Sequence, residues 1–432
     1  MNPPIEKTDE KLSMSTPSET LQPKTRTRFR KAMGNLGVAV VTTGICLGIG
    51  EIAVRMLMPR LSQPAGDAVL GNAPARGHTA VWTDFPEYGG NLVKHTNRAG
   101  FFNISETSIE KSSGVRRIAF VGDSQTEGLC ADAESYPHQM EAIANQSAPA
   151  SVRYEVLNAG FGGYSPYQYF LRFRRDVLPY HPDHLIVGIY VGNDLWDLTR
   201  RDDRPYLIMD RAGNVTEHPP MFVDEPKEAR KLWERSRLYG LALATVGKSL
   251  KYQATRAEKL FTNARETGHG YGETMKYMID VGRLSHDSVN MMTQSIGQQL
   301  WFRAFPETLP PALQLNRYVM ERFQKICRDE NIRLTYVFIP TKVRIEPADI
   351  DVFKTFGKHG FTPESAAAFE NQVTDKMLND CRALGIEAID LRKPLEDNAR
   401  GLRLYYPRDM HLNVTGNRLV GGAIAEALHD KF

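Results

Sequence analysis

Four short blocks in this chain carry the residue types that acyl chemistry needs. Gly122-Asp123-Ser124 offers a hydroxyl nucleophile on a turn. The glycine permits a tight passage from strand to helix, and the serine then stands near the positive end of that helix. Asn158-Ala159-Gly160-Phe161-Gly162-Gly163 offers backbone that can come close to a substrate and free N–H groups that can hold an oxyanion. Gly192-Asn193-Asp194 offers a side-chain amide, a second kind of oxyanion donor. Asp409-Met410-His411 offers a base with its own carboxylate. In an extended segment residues i and i+2 share a side, so Asp409 can accept the imidazole Nδ1–H and leave Nε2 for the serine. Taken singly, each block has an ordinary reading: a turn, a glycine loop, a helix cap, a surface Asp–His pair.

Their weight comes from the elements that precede them. Arg117–Val121, Arg153–Leu157, His184–Val191, Arg333–Ile339 and Ile386–Leu391 are short, nearly continuous apolar runs, the pattern of parallel strands covered on both faces. Helical stretches separate them. Ser165-Pro166-Tyr167-Gln168 reads as a capped start with proline at the first position, predicting a helix over 166–178. Leu315–Arg328, Ala366–Leu384 and Val414–Leu428 read as further helices, the last capped by Asn413 and carrying Val420, Ile424 and Leu428 on one face. The first three blocks directly follow the first three strands, and the fourth directly precedes the last helix. Open α/β sheets place ligands at the carboxyl ends of strands, at the point where strand order reverses. With strand order 2-1-3-4-5, Asn193 faces Ser124 across that crevice.

In this order and on these elements the blocks resemble the SGNH (GDSL-type) hydrolase superfamily, in which Ser, Gly, Asn and His from four blocks form the site. The resemblance spans roughly 115–197 and 313–432. It implies Ser124, Gly163, Asn193 and His411 as the matching residues, with Asp409 orienting the histidine. It also implies a flavodoxin-like three-layer α/β sandwich with a five-stranded parallel sheet. There are departures: the acid and histidine are spaced D-x-H rather than D-x-x-H, the glycine before Asn193 stands at 192, and Gln125 follows the serine where many relatives carry an apolar residue. The D-x-H spacing and the segment Ile339-Pro340-Thr341-Lys342 look like the alginate-acetylation branch, whose members move acetyl groups onto exported polysaccharide.

The N-terminus sets the compartment. Residues 1–33 are rich in Pro, Ser, Thr, Lys and Glu and read as a disordered cytoplasmic tail. Lys24, Arg26, Arg28, Arg30 and Lys31 precede an apolar run over Leu36–Met58 that is long enough to span a bilayer. Basic residues favour the cytoplasmic side, and no small-x-small cleavage site stands out after the run. A transmembrane anchor over 34–58 is expected, single-pass in the inner membrane, with the remainder facing the periplasm or cell exterior. Residues 59–114 read as a linker and irregular lead-in, and 115–432 as the hydrolase-like domain. Within it, 198–311 is too long for a structureless loop and reads as a helical insertion, serving either as a lid or partner surface or as a peripheral decoration.

Composition narrows the classes. A net charge of +3, with much of the excess near the N-terminus and no basic stripe with interleaved aromatics, argues against nucleic-acid binding. The four cysteines, Cys46, Cys130, Cys327 and Cys381, are too few for a disulfide scaffold, and no His/Cys cluster has metal-ligand spacing. A Cys327–Cys381 bond and two buried thiols both remain open. The expected chemistry needs no cofactor: a serine esterase acting through an acyl-enzyme on acyl esters, acetyl esters of carbohydrate foremost. The alternatives are an O-acetyltransferase that passes the acyl group to an exported polysaccharide, served by a membrane acyl-transfer partner, and a non-catalytic polysaccharide-binding or assembly protein. Tyr164, Tyr167, Tyr169 and Trp196 would suit sugar stacking or the core equally.

Overall fold

A computed structural model describes residues 24–57, 65–85, 87–200, 204–220, 297–304, 306–349, 362–407 and 409–429. The chain divides into two units, 1–57 and 58–432. In the first, helix α1 (Lys24–Leu57) begins ten residues before the expected anchor, so residues 24–33 continue the helix. Its segment Met33–Ala53 is long and apolar enough to cross a membrane, and none of its residues is buried. The basic stretch at 229–252 and the Gly/His/Tyr-rich patch at 268–272 lie outside the described residues.

The second unit is built on five parallel strands: β1 (Val115–Val121), β2 (Arg153–Asn158), β3 (His184–Tyr190), β4 (Arg333–Ile339) and β5 (Glu387–Asp390). Their order across the sheet is β5-β4-β3-β1-β2. Ile118 pairs with Val156 on one side and His184 on the other, and Tyr336 pairs with Val187. Every residue of β3 is buried, as a central strand covered on both faces requires. Side chains alternate strictly along β1. Ala119 and Val121 enter one core, with Phe170, Phe323 and Met377, while Ile118 and Phe120 enter the other, with Met140, Val420 and Ile424. The sheet is thus the middle layer of a three-layer sandwich.

The helices supply the outer layers. They include α2 (Ser124–Glu127), α3 (Tyr136–Ser147), α4 (Pro166–Arg172), α5 (Asp194–Thr199), α6 (Leu309–Asp329) and α7 (Pro363–Leu384); α8 (Val414–Leu428) closes the fold. The Ser165 N-cap is seen as expected, with Gln168 Oε1 accepting the Ser165 N–H at 2.9 Å. Asn413 caps α8, its Oδ1 accepting the Gly416 N–H at 2.9 Å. The helix expected over 166–178 is regular only to Arg172, and Phe173–Val177 widens into a π turn. There the buried Arg172 pairs with Asp176 at 2.6 Å and also reaches the Gly100 carbonyl at 2.6 Å.

Two questions left open by the sequence are decided. Cys327 and Cys381 are free buried thiols, not a disulfide, and burial pushes each up to about 12. Tyr164, Tyr167, Tyr169 and Trp196 are core residues, at most 7% exposed, so they offer no face for stacking a sugar. Three of them use their polar ends internally: Tyr164 Oη donates to the Asn72 carbonyl, Tyr167 Oη to Glu217 and Tyr169 Oη to Asp194.

The lead-in is structured. It carries an antiparallel hairpin, His78–Phe85 with Gly90–Thr96, and then locks onto the open edge of β2. Phe102 N–H donates to the Asn158 carbonyl at 2.8 Å, Asn103 Nδ2 donates to the Val156 carbonyl at 2.7 Å, and Asn103 Oδ1 accepts the Asn158 N–H at 3.1 Å. Arg117, 1% exposed, donates to the carbonyls of Ser108 and Ile109 and pairs with Glu155 at 2.7 Å. An edge strand covered in this way is protected from pairing with another chain.

Helices α3 and α8 cross so closely at Gly421 that a Cβ there would lie 2.7 Å from Gln139 Cβ and 2.8 Å from the Tyr136 carbonyl oxygen. Gly421→Val is expected to cost about 1–3 kcal/mol by overpacking. A urea midpoint equal to that of the parent chain would show that the two helices separate freely.

Candidate active site

The site begins at the end of β1, where the chain turns directly into α2 with Ser124 as its first residue. Asp123 caps the helix, its Oδ1 accepting the Gln125 N–H at 2.9 Å. Gly122 admits no side chain, because a Cβ would stand 1.9 Å from Thr126 Oγ1. The glycine block after β2 is laid alongside. Phe161 N–H donates to the Gly122 carbonyl at 3.0 Å, and Asn158 Nδ2 donates to the Thr126 carbonyl at 3.0 Å.

Residues from the far end of the chain complete the centre. His411 Nε2 lies 2.6 Å from Ser124 Oγ. His411 Nδ1 is hydrogen bonded to Asp409 Oδ1, which also accepts the His411 backbone N–H at 2.9 Å. The carboxylate thus fixes the ring's orientation and leaves Nε2 facing the hydroxyl. Burial pushes the imidazole down, but the charge and hydrogen bond of Asp409 outweigh it, with smaller help from Asp123 and Glu127, and hold His411 above its ordinary value. Burial pushes the Asp409 carboxyl up, but the charge of His411 and the hydrogen bonds it receives leave it below the ordinary value.

The two expected oxyanion donors lie differently. Gly163 adopts φ +79°, a left-handed conformation that favours glycine, and its N–H has no acceptor among the described residues. The same holds for the Ser124 N–H at the start of α2. Asn193 stands at the N-cap position of α5, yet its side chain does not cap the helix. Its Nδ2 donates instead to Asp197 Oδ2 at 2.7 Å, while Asp197 Oδ1 takes Arg200 at 3.2 Å and Arg204 at 2.5 Å. One hydrogen of the amide is therefore spent on orientation and the second is left over. Neither Gly163 nor Asn193 lines the cavity beside Ser124.

That cavity, about 310 Å³, was not legible in the sequence. Ser124, Glu127, Phe161, Gly162 and His411 form one wall; the lead-in forms the other, with Pro74, Ala80, Lys94 and Phe102. Glu127 stands one helical turn after Ser124. Its Oε2 accepts the Gly162 N–H at 2.8 Å, and burial pushes its carboxyl above the ordinary value. Lys94, 4% exposed, is bolted to the end of α2: Nζ donates to the carbonyls of Glu127 at 2.8 Å and Gly128 at 2.9 Å and pairs with Asp132 at 3.5 Å. The spacing of Glu127 from Ser124 could have flagged it. Lys94, on a hairpin without periodicity, gave no signal. Among the described residues no group of three or more His, Cys, Asp and Glu could hold a metal ion.

A hydroxyl bonded to an oriented imidazole, beside a cavity and two unengaged backbone N–H groups, is an arrangement able to form and discharge an ester. Residues 297–432 match the family model described as SGNH hydrolase-like domain, acetyltransferase AlgX. The matched segment holds Asp409 and His411 but not Ser124. No curated protein sequence matches the chain. Among solved structures, an acetyl xylan esterase, AlAXEase, is similar at 15% identity and TM-score 0.35, over 72% of this chain and 99% of its own. Axe2, an acetylxylan esterase from Geobacillus stearothermophilus, is similar at 11% identity and TM-score 0.37, over 73% and 95%.

The imidazole of His411 is expected to titrate above the ordinary value of about 6.5. Asp409→Asn removes the charge that raises it and leaves the burial that lowers it, so the titration should move to lower pH. The pH dependence of the histidine ring signals in NMR reads both values. An unmoved titration in the variant would show that Asp409 does not set the protonation of the base.

Proposed function

We propose that this chain, whose C-terminal part carries an SGNH hydrolase-like domain of the AlgX kind, is a serine-dependent acyl-transfer enzyme. The observation that carries the proposal is the 2.6 Å contact between Ser124 Oγ and His411 Nε2, with Asp409 on the opposite ring nitrogen. Ser124 Oγ attacks the carbonyl carbon of an acyl ester as its proton passes to His411 Nε2. The oxyanion that forms is held by the N–H groups of Ser124 and Gly163 and by the second hydrogen of Asn193 Nδ2. Collapse of the tetrahedral intermediate expels the alcohol, which takes the proton from His411, and leaves an acyl group on Ser124. In the second half His411 removes a proton from the incoming hydroxyl as it attacks the acyl carbon; the intermediate then collapses, His411 returns the proton to Ser124 Oγ, and the acid or new ester leaves.

The incoming hydroxyl decides the reaction class. Water makes the protein an esterase of short acyl esters, acetyl esters of carbohydrate foremost. A sugar hydroxyl makes it an O-acetyltransferase, and the match of residues 297–432 to an acetyltransferase family favours this second reading. Residues 33–53 anchor the protein in the cytoplasmic membrane, with Lys24–Lys31 inside and residues 60–432 in the periplasm or outside the cell. Acyl-CoA is absent there, so the acyl donor is an exported ester or a group delivered by a membrane partner.

Ser124→Ala is expected to lower acyl turnover on the order of 10⁶-fold, the loss seen when a triad nucleophile is removed. A chromogenic acetyl ester, with and without an oligosaccharide acceptor, reads turnover and separates hydrolysis from transfer. A Ser124→Ala chain that keeps a tenth of the parent rate would exclude the acyl-enzyme and leave a binding or assembly role. Protease added to spheroplasts is expected to digest residues 60–432 and spare the N-terminal tail; protection of the body would reverse the topology.

A further inference from the structure

We infer that Gln125, the residue directly after the nucleophile, is a positioning residue that fixes the base against the serine; this rests on the acyl-transfer reading. Its side chain is buried, with 2% exposed. The amide makes two hydrogen bonds, both to backbone. Nε2 donates to the Met410 carbonyl at 3.0 Å, and Oε1 accepts the Leu412 N–H at 3.0 Å. These two groups flank His411, so one planar amide brackets the base as a neighbouring strand would. Gln125 is also peptide-bonded to Ser124. A single side chain therefore ties the backbone of the nucleophile to the backbone of the base, and the distance between Oγ and Nε2 follows from it.

The chemistry of the position is restrictive. The task needs a donor and an acceptor side by side on one rigid group, which a primary amide supplies. A methionine has similar length but neither function. An ionised glutamate can accept from Leu412 but turns a negative oxygen toward the Met410 carbonyl. The rest of the loop is held independently. Lys342 Nζ donates to the carbonyls of Tyr406 at 2.6 Å and Pro407 at 2.7 Å, and Asn417 Nδ2 donates to the Leu412 carbonyl at 3.0 Å. Loss of the amide should thus free His411 to shift without dismantling the loop, and a misplacement of about 1 Å can cost on the order of 10²-fold in rate.

The test uses the detergent-solubilised full chain and a fluorophosphonate probe, whose reaction with serine needs the base but neither the acyl substrate nor the acceptor. Parent chain labelled at Ser124, with Ser124→Ala unlabelled, establishes the site; a parent chain that is not labelled there sinks the acyl-transfer reading itself. Given labelling, Gln125→Met is expected to react roughly 10- to 100-fold more slowly. Its kcat on acetyl ester should fall with KM little changed, and the proton signal of the Asp409–His411 hydrogen bond should shift or broaden. Labelling of Gln125→Met at the parent rate overturns the inference and leaves the acyl-transfer reading standing. Should Gln125→Met fail to fold, Gln125→Glu, which keeps the Leu412 contact, decides: slowing of at least ten-fold supports the role, and parent-like labelling removes it.

Discussion

A hydrogen bond between two side chains that share no element, Ser124 and His411, sets the demands on the rest of this molecule. The serine is delivered by a strand and a helical turn, which are stiff. The histidine comes from an irregular stretch between β5 and α8, which by itself has no reason to hold still. The structure answers with polar contacts to the loop's own backbone. Lys342, 1% exposed, spends its charge on two carbonyls there, and Glu346 Oε1 accepts the N–H groups of Leu404 at 2.6 Å and Tyr405 at 3.1 Å. Buried polar groups are costly unless paired, so each of these contacts is hard to break and hard to substitute. The segment after β4 thereby acts as the bracket for the base, although it touches none of the reacting atoms.

The ground beneath the nucleophile is acidic. Burial pushes the Asp123 carboxyl up to about 7, and it raises Asp194 well above the ordinary value, with the charge of Asp123 adding to the effect. Asp194 is nevertheless well provided with donors: Tyr169 Oη at 2.8 Å and the Tyr190 N–H at 3.0 Å. Among the acids near the imidazole, Asp409 does most to favour its charged form, with smaller contributions from Asp123 and Glu127. A base that must become positively charged part-way through a reaction is helped by such surroundings, since the field is in place before the proton moves.

What was legible in the sequence follows the length scale of each constraint. The five strands showed because a parallel sheet is buried on both faces, which writes a continuous apolar run. Helix α8 showed from its cap to its last turn because Asn413, Val420, Ile424 and Leu428 obey local rules. Ser124, Asp409 and His411 showed because each sits at a strand or helix end within a short block. Gln125 and Lys94 act across long sequence separations, where no period records a partner. The tyrosines after β2 stayed ambiguous for a related reason: an aromatic ring with a polar tip serves a sugar and a core alike, and only the partners found by Tyr164, Tyr167 and Tyr169 decide between them.

The cavity beside Ser124 draws its two walls from separate parts of the chain. Ser124 comes from the end of β1 and His411 from the stretch just before α8, whereas Pro74, Ala80 and Lys94 come from the lead-in before the sheet begins. Substitution can treat these parts differently. The machinery tolerates little change, since each of its atoms is committed. The hairpin can exchange residues such as Ala80, provided that Lys94 keeps its seat on the Glu127 and Gly128 carbonyls. Changes on the hairpin can therefore reshape the cavity while leaving Ser124, His411 and Asp409 and their contacts in place, because the two walls are set by separate segments.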